Sequence, residues 1–292
     1  MPKLINLEQN TPEWLEYRKT KLGASDAGTI LGINKYSTPR QLWLQKLGLA
    51  KEQETTQAME RGKRLETEAL FKYVVEKGCL FSPMVIESNQ YPFMMASLDG
   101  ITIAMDKACE IKCLNMQDHV GVYDGKKISP SHYAQIQHQM IVGCLDEIDY
   151  VGYHPDSNVK PLYIITIKRD EEFIKMYLEK AKEFWDYVTT FTEPPKTERD
   201  YLDYTNNLDF RAAEAAYVDI DDKIEKLEEQ KKALRNKMIE LSSGNNVMGA
   251  YTKMTSYVSR GTIQYSKIPA LKEIDLEIYR APAICSTRII RI

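Results

Sequence analysis

An aspartate, Asp99, precedes the tripeptide Glu110-Ile111-Lys112, and hydrophobic residues flank both. Alternate residues of a strand share a face, so Glu110 and Lys112 project together while Ile111 turns into a core. Asp99 stands before Gly100. A turn there would let a neighbouring strand bring the aspartate beside Glu110. Two carboxylates on one face suit a hard divalent cation with oxygen ligands, and the Ile111 carbonyl supplies a third oxygen. An ammonium group beside such an ion can orient or help deprotonate a water and offset the charge of a phosphate. The chemistry implied is metal-assisted phosphodiester hydrolysis. Taken alone, Glu-X-Lys is as readily a surface ion pair. The apolar neighbours Cys109, Ile111, Cys113 and Leu114 favour a buried strand, where unpartnered charges are costly.

Several elements must position these groups. Thr11-Pro12-Glu13 reads as a helix start: a capping hydroxyl, proline in the first turn and an early acid. The helix runs through WLEYRKTKLG to Gly23, with Trp14 and Arg18 on one face. Ser25 is expected to cap a second short helix, from Asp26 to Leu31 and ended by Gly32. Its free N–H groups, with Arg18, would make an anion pocket. Ser25 acting only as a cap, with Arg18 solvated, is the plainer alternative. Thr38-Pro39 opens a third helix ended by Gly48, and a longer one spans about 57–76 with an apolar stripe at Leu65, Ala69, Tyr73 and Val74. Glu66 sits beside that stripe and can face the acids, or else pair on the surface with Arg61, Lys63 or Lys72.

Strands are expected in CLFSPMVIE, PFMMAS, ITIAM and CEIKCL, joined by short links that favour antiparallel pairing. Asn115 to Ser129 reads as an irregular polar cover with a turn at Asp124-Gly125. Pro130 then opens a helix with Gln135 and Gln139 one turn apart, followed by strands in IDYVGYH and PLYIITIK and a helix over about 171–190. The whole describes an α/β core.

Glu193-Pro194-Pro195 breaks the pattern, giving a core over 1–195 and an extension over 205–292. Within the extension, Ala213, Tyr217, Ile220, Ile224, Leu227, Lys231, Leu234, Met238 and Leu241 alternate four and three apart, a heptad seam for assembly or a partner. The run AYTKMTSYVSRGTIQYSKI reads as a hairpin turning at Arg260-Gly261.

Composition sets bounds. The 292 residues are 43% hydrophobic and 28% charged, as in a globular protein, and no apolar run would span a membrane. A net charge of −3 argues against a general polyanion coat and leaves room for a local basic groove. Five scattered cysteines and a start without a secretory layout point to free thiols in a cytoplasm. The four histidines, His119, His132, His138 and His154, lack metal-ligand spacing. Magnesium or manganese is therefore expected rather than zinc.

The ordered motifs TPEWLEYRKTKLGASDAGTILGINKY, RGKRLETEA, SLDG, EIKC and HYAQIQHQM together resemble the YqaJ-type viral recombinase family. That family includes phage lambda exonuclease and belongs to the PD-(D/E)XK nucleases, whose restriction-endonuclease-like core is a mixed sheet flanked by helices. The resemblance covers about residues 10–190 and implies a processive exonuclease in a bacterial host. It would degrade one strand of linear duplex DNA from the 5′ end, leaving 3′ overhangs for a single-strand annealing protein in phage-type recombination. By position it implies Asp99, Glu110 and the Ile111 carbonyl as ligands of two magnesium or manganese ions. Lys112 would act on the water and Glu66 would support the site. Arg18, Ser25, Ser97 and Gln135 would bind the 5′ phosphate. A ring-shaped trimer is a further implication. Leu98 stands where the signature has proline, and the tail beyond about 205 lies outside the lambda-like core. An endonuclease or repair nuclease of the same fold, and a non-catalytic DNA-binding recombination scaffold, are the alternatives.

Overall fold

The computed structural model describes residues 2–9, 11–50 and 57–255, and the isolated positions 261, 268 and 269. The chain divides into two compact units, Met1–Leu202 and Asp203–Ile292.

The first unit opens with β1 (Lys3–Ile5) and α1 (Pro12–Lys19), followed by β2 (Leu22–Gly23), a 3-10 turn (Ala24–Asp26) and α2 (Ala27–Ile30). Next come α3 (Pro39–Lys46), α4 (Gln57–Lys77), β3 (Ser82–Glu87), β4 (Met94–Ile101) and β5 (Ala108–Lys112). The unit continues through α5 (Met116–Gly125), α6 (Pro130–Gly143), β6 (Glu147–Tyr153), β7 (Leu162–Lys168) and α7 (Glu171–Thr189). Side-chain oxygens of Thr11, Thr38 and Ser129 accept first-turn N–H groups of α1, α3 and α6, and each of these helices has proline in its first turn.

The strands form one mixed sheet in the order β1-β3-β4-β5-β6-β7, with β2 added parallel to β4. Short links give antiparallel β3–β4 and β4–β5 pairs. The β5–β6 pair is parallel, its crossover made by α5 and α6. One face packs Met94, Ala96 and Leu98 against Ile136 and Met140 of α6 and Tyr177 and Phe184 of α7. The other packs Cys109, Ile111 and Val151 against Leu65, Ala69 and Tyr73 of α4. Burying a side chain of Leu or Phe size contributes about 1.5–3 kcal/mol, so these two layers hold the sheet between helices.

Four local expectations are corrected. Helix α1 stops at Lys19, and Leu22–Gly23 pairs with Met94–Met95 as a strand, because β4 offers a free edge there. Ser25 is no cap. It lies inside the 3-10 turn, where the Asp26 carboxylate instead accepts the Gly23 N–H at 2.9 Å. Asp99 and Gly100 lie within β4. The chain reverses later, where the Thr102 N–H reaches the Lys107 carbonyl and Met105 takes φ 58°. The 115–129 stretch contains a helix, because the Asn115 side chain accepts the Asp118 N–H at 2.9 Å and nucleates α5.

The Glu193-Pro194-Pro195 break lies inside the first unit. The segment after it is tied back by Arg199 to the carbonyls of Asn34 and Lys35, and by Thr38 to Asp200. In the second unit α8 (Leu208–Ser242) is one unbroken helix, followed by a hairpin of β8 (Val247–Met248) and β9 (Lys253–Met254). The hairpin expected to turn at Arg260-Gly261 lies largely outside the described residues. Among the described residues Cys79, Cys109, Cys113 and Cys144 are free thiols, and no helix is long and apolar enough to cross a membrane.

Candidate active site

The site begins where a strand ladder stops. The β4–β5 pairing runs from Ile101↔Ala108 to Gly100↔Cys109 and ends there. At the next step the Asp99 carboxylate reaches across and accepts the Ile111 N–H at 2.7 Å. A side chain thus replaces the backbone partner that β5 loses, and the two strands part around a cleft. Strand alternation sends Ile111 into the α4 layer and leaves Glu110 and Lys112 on the α6 side, their charged ends 2.6 Å apart.

Glu110 is only 2% exposed, yet both its oxygens are satisfied. Oε1 accepts from Gln135 Nε2 at 2.5 Å, and Oε2 from Gln139 Nε2 at 2.5 Å. The two amides are one turn apart on α6, so a single helix face supplies both donors. Glu66, from α4, completes the acid cluster. Among the described residues no cation within ion-pair distance neutralises it, so the surface pair with Arg61, Lys63 or Lys72 is not made.

The electrostatics follow from three carboxylates facing one ammonium. Burial, then the charges of Glu110 and Glu66, push the Asp99 carboxyl well above its usual range despite Lys112 and the Ile111 N–H. Burial and Glu110 raise Glu66 in the same way. Burial alone would lower the Lys112 ammonium, but Glu110 and Asp99 outweigh it and raise the group, which stays charged. His132 is held down to about 3 by burial and by Lys112, so it is a neutral imidazole at the edge of the cluster.

Among the described residues no three His, Cys, Asp or Glu side chains gather around one point as a finished metal cage. The carboxylates are engaged instead by Lys112, the two glutamines and a backbone N–H. The donor set still fits a hard divalent cation. It is all oxygen, and its surplus of negative charge adds to burial in driving Asp99 upward.

A second group borders the acids. Arg18 of α1 donates to Ser25 Oγ at 2.6 Å and pairs with Asp26 at 3.1 Å, and its guanidinium lies 5.3 Å from the Trp14 ring centre. Trp14 Nε1 in turn donates to Ser97 Oγ at 3.1 Å, joining α1 to β4. Asp26 is buried and also pairs with Lys46 at 2.6 Å. Burial would raise its carboxyl, but Lys46 and Arg18 more than offset this and hold it at about 2.

One cleft of about 180 Å³ brings these parts together. Glu66, Asp99, Glu110, Ile111 and Lys112 line it, and so do Arg18, Ser25, Ser97 and Gln135. The nine residues assigned to the site from the sequence therefore all line one cleft. Sequence reasoning missed Asp26 and Lys46, which fix Arg18 from behind, and the role of Gln139. The only signal for Gln139 was its one-turn spacing from Gln135.

Comparison with known proteins agrees with this architecture. Residues 13–146 match the YqaJ-like viral recombinase domain. The uncharacterized protein YqaJ of Bacillus subtilis (strain 168) is 26% identical over 253 residues, 80% of this chain and 78% of that protein. The crystal structure of an alkaline exonuclease, LHK-Exo from Laribacter hongkongensis, superposes with a TM-score of 0.53 at 26% identity, covering 63% of this chain and 95% of that one. LHK-Exo in complex with dAMP gives a TM-score of 0.54 over the same shares. Residues 13–146 of this chain are thus similar to the YqaJ-like viral recombinase domain, and they lie in a mixed α/β core whose structural neighbours are alkaline exonucleases of PD-(D/E)XK-like fold.

Proposed function

We propose that the protein is a divalent-metal-dependent exonuclease that degrades one strand of linear duplex DNA from its 5′ end. It would leave a 3′ overhang for a single-strand annealing protein. The observation that carries this reading is the shared cleft: an acid cluster with a lysine, bordered directly by an arginine–serine pocket. The relationship to an alkaline exonuclease supports an exonuclease, and the dAMP bound by that relative is a 5′-mononucleotide.

In this reading Asp99, Glu110 and the Ile111 carbonyl would hold a pair of magnesium or manganese ions, as two-metal hydrolysis requires. The bound metal supplies Lewis-acid stabilisation of the attacking and leaving oxygens. Lys112, charged and in contact with Glu110, orients the water and offsets phosphate charge. Glu66 accepts a hydrogen bond from that water and orients it. Gln135 and Gln139 fix the Glu110 carboxylate. Arg18, Ser25 and Ser97 take the terminal 5′ phosphate, with Gln135 within reach of both subsites. Holding the new end after each cut favours stepwise degradation.

The test is a linear duplex phosphorylated at one 5′ end, incubated with magnesium beside a closed circle and a Lys112→Ala variant. Selective loss of the phosphorylated strand, absent in the variant and on the circle, is expected. Cutting of the circle would assign the protein to endonucleases. DNA binding without cleavage by any preparation would leave a recombination scaffold. Arg18→Ala is expected to erase the preference for 5′-phosphate over 5′-hydroxyl ends, and an unchanged preference would overturn the phosphate assignment.

A further inference from the structure

Trp14 stands behind the cleft in a way that packing alone does not require. It is 7% exposed and packs with Val85 and Met95. A buried indole N–H needs an acceptor. This one takes neither a backbone carbonyl nor a carboxylate and donates instead to Ser97 Oγ at 3.1 Å. The face of the same ring lies 5.3 Å from the Arg18 guanidinium, which donates to Ser25 Oγ at 2.6 Å. The ring edge thus meets the serine of β4, and the ring face meets the arginine that holds the other serine. Each serine oxygen receives a hydrogen bond, and neither hydroxyl donates to a protein acceptor among the described residues. Asp26, the carboxylate beside Arg18, is already taken by Arg18, Lys46 and the Gly23 N–H.

We propose, on the phosphate assignment made above, that Trp14 is a positioning residue which sets the polarity of the pocket. By donating to Ser97 it turns that hydroxyl hydrogen into the cleft, as Arg18 does for Ser25. A serine hydroxyl is both donor and acceptor. Left alone it serves a phosphate oxygen or a substrate hydroxyl equally. Engaged at its oxygen from behind, it presents its hydrogen. Arg18 meets Ser25 and Asp26 through Nη2, which leaves its other N–H groups for a ligand. Arg18, Ser25 and Ser97 therefore offer three donors to the three free oxygens of a terminal phosphate monoester. A 5′-hydroxyl end brings one oxygen to the same donors. An internal phosphodiester brings two, and a further stretch of chain that the pocket has to admit.

Steady-state digestion of duplexes ending in 5′-phosphate or 5′-hydroxyl tests this, read as the ratio of KM for the two ends. Trp14→Phe keeps a ring face for Arg18 and removes the N–H. It should raise KM for the phosphorylated end, relative to the hydroxyl end, by roughly tenfold, as for one lost hydrogen bond to a charged group. Benzothienylalanine at position 14, which puts sulfur in place of the indole N–H at nearly the same volume, should repeat the effect without a cavity. Ser97→Ala should match it, and Trp14→Phe with Ser97→Ala should add nothing further, because the indole acts through that hydroxyl. A smaller folded fraction lowers kcat on both ends and leaves KM alone, so it cannot imitate this result. A wild-type protein with equal KM for the two ends would defeat the phosphate assignment itself. A wild-type preference that both changes at position 14 leave intact, or a double variant whose effects multiply, would overturn this proposal alone.

Discussion

Each oxygen of Glu110 faces a donor, and the donors come from two helical amides and the neighbouring lysine. Gln139 is fully buried and spends its amide nitrogen on Glu110, and among the described residues its own Oε1 has no partner. Replacing it by leucine removes the donor while the charge remains. Gln139→Leu should therefore cost about 1.5–3 kcal/mol in urea denaturation, the range for a hydrogen bond to a charged group, and should slow strand degradation as well. Asp26 gives a second prediction. Its carboxyl, held at about 2, lies below its unfolded value, so it contributes stability that is fully present above about pH 4 and is lost as pH falls toward 2. Thermal melts between pH 5 and 2 should fall more steeply for wild type than for Asp26→Asn, whose starting stability is lower because Lys46 is left buried and unpaired. These two residues also mark where sequence reading stopped. Asp99, Glu110 and Lys112 were legible because strand alternation and residue chemistry coincide. Asp26 and Gln139 act through partners far along the chain, and nothing local distinguishes them from ordinary polar residues.

At the scale of elements, β6 and β7 are locked by a pair of unequal neighbours. Gly152 lies opposite Tyr163, and a Cβ at Gly152 would fall 2.1 Å from the Tyr163 ring. Gly152→Ala should accordingly destabilise by about 1–3 kcal/mol, the usual cost of overpacking, and Gly152→Ala with Tyr163→Leu should recover part of it in the same denaturation series. Helix α5 illustrates how an element was missed. Its polar composition and Asp124-Gly125 resemble a loop, but Asn115 caps its first turn and His119 is buried on its inner face. The helices announced by a capping hydroxyl before proline, α1, α3 and α6, were legible because cap and ring act locally. The single strand across Asp99-Gly100 was not, because glycine read as a turn is here a position where Cys109, Leu70 and Phe81 crowd the backbone.

The molecule as a whole separates chemistry from its long helix. All the residues of the cleft belong to the first unit. A chain ending at Leu202 should therefore melt cooperatively and still degrade linear duplex, while losing any self-association carried by α8. Circular dichroism and the strand-degradation assay check the two halves of that expectation. The parallel pairing of β5 with β6 has a consequence for how the protein is made. Glu110 and Lys112 leave the ribosome well before β6, and α5 and α6 must be synthesised in between. Until α6 is made, Glu110 lacks the two glutamines that hold it, and until the later strand arrives β5 lacks one neighbour. A nascent or prematurely terminated chain would thus carry Glu110 and Lys112 without their arrangement, and a nuclease acting through them, as proposed above, would be complete only when the domain nearly is.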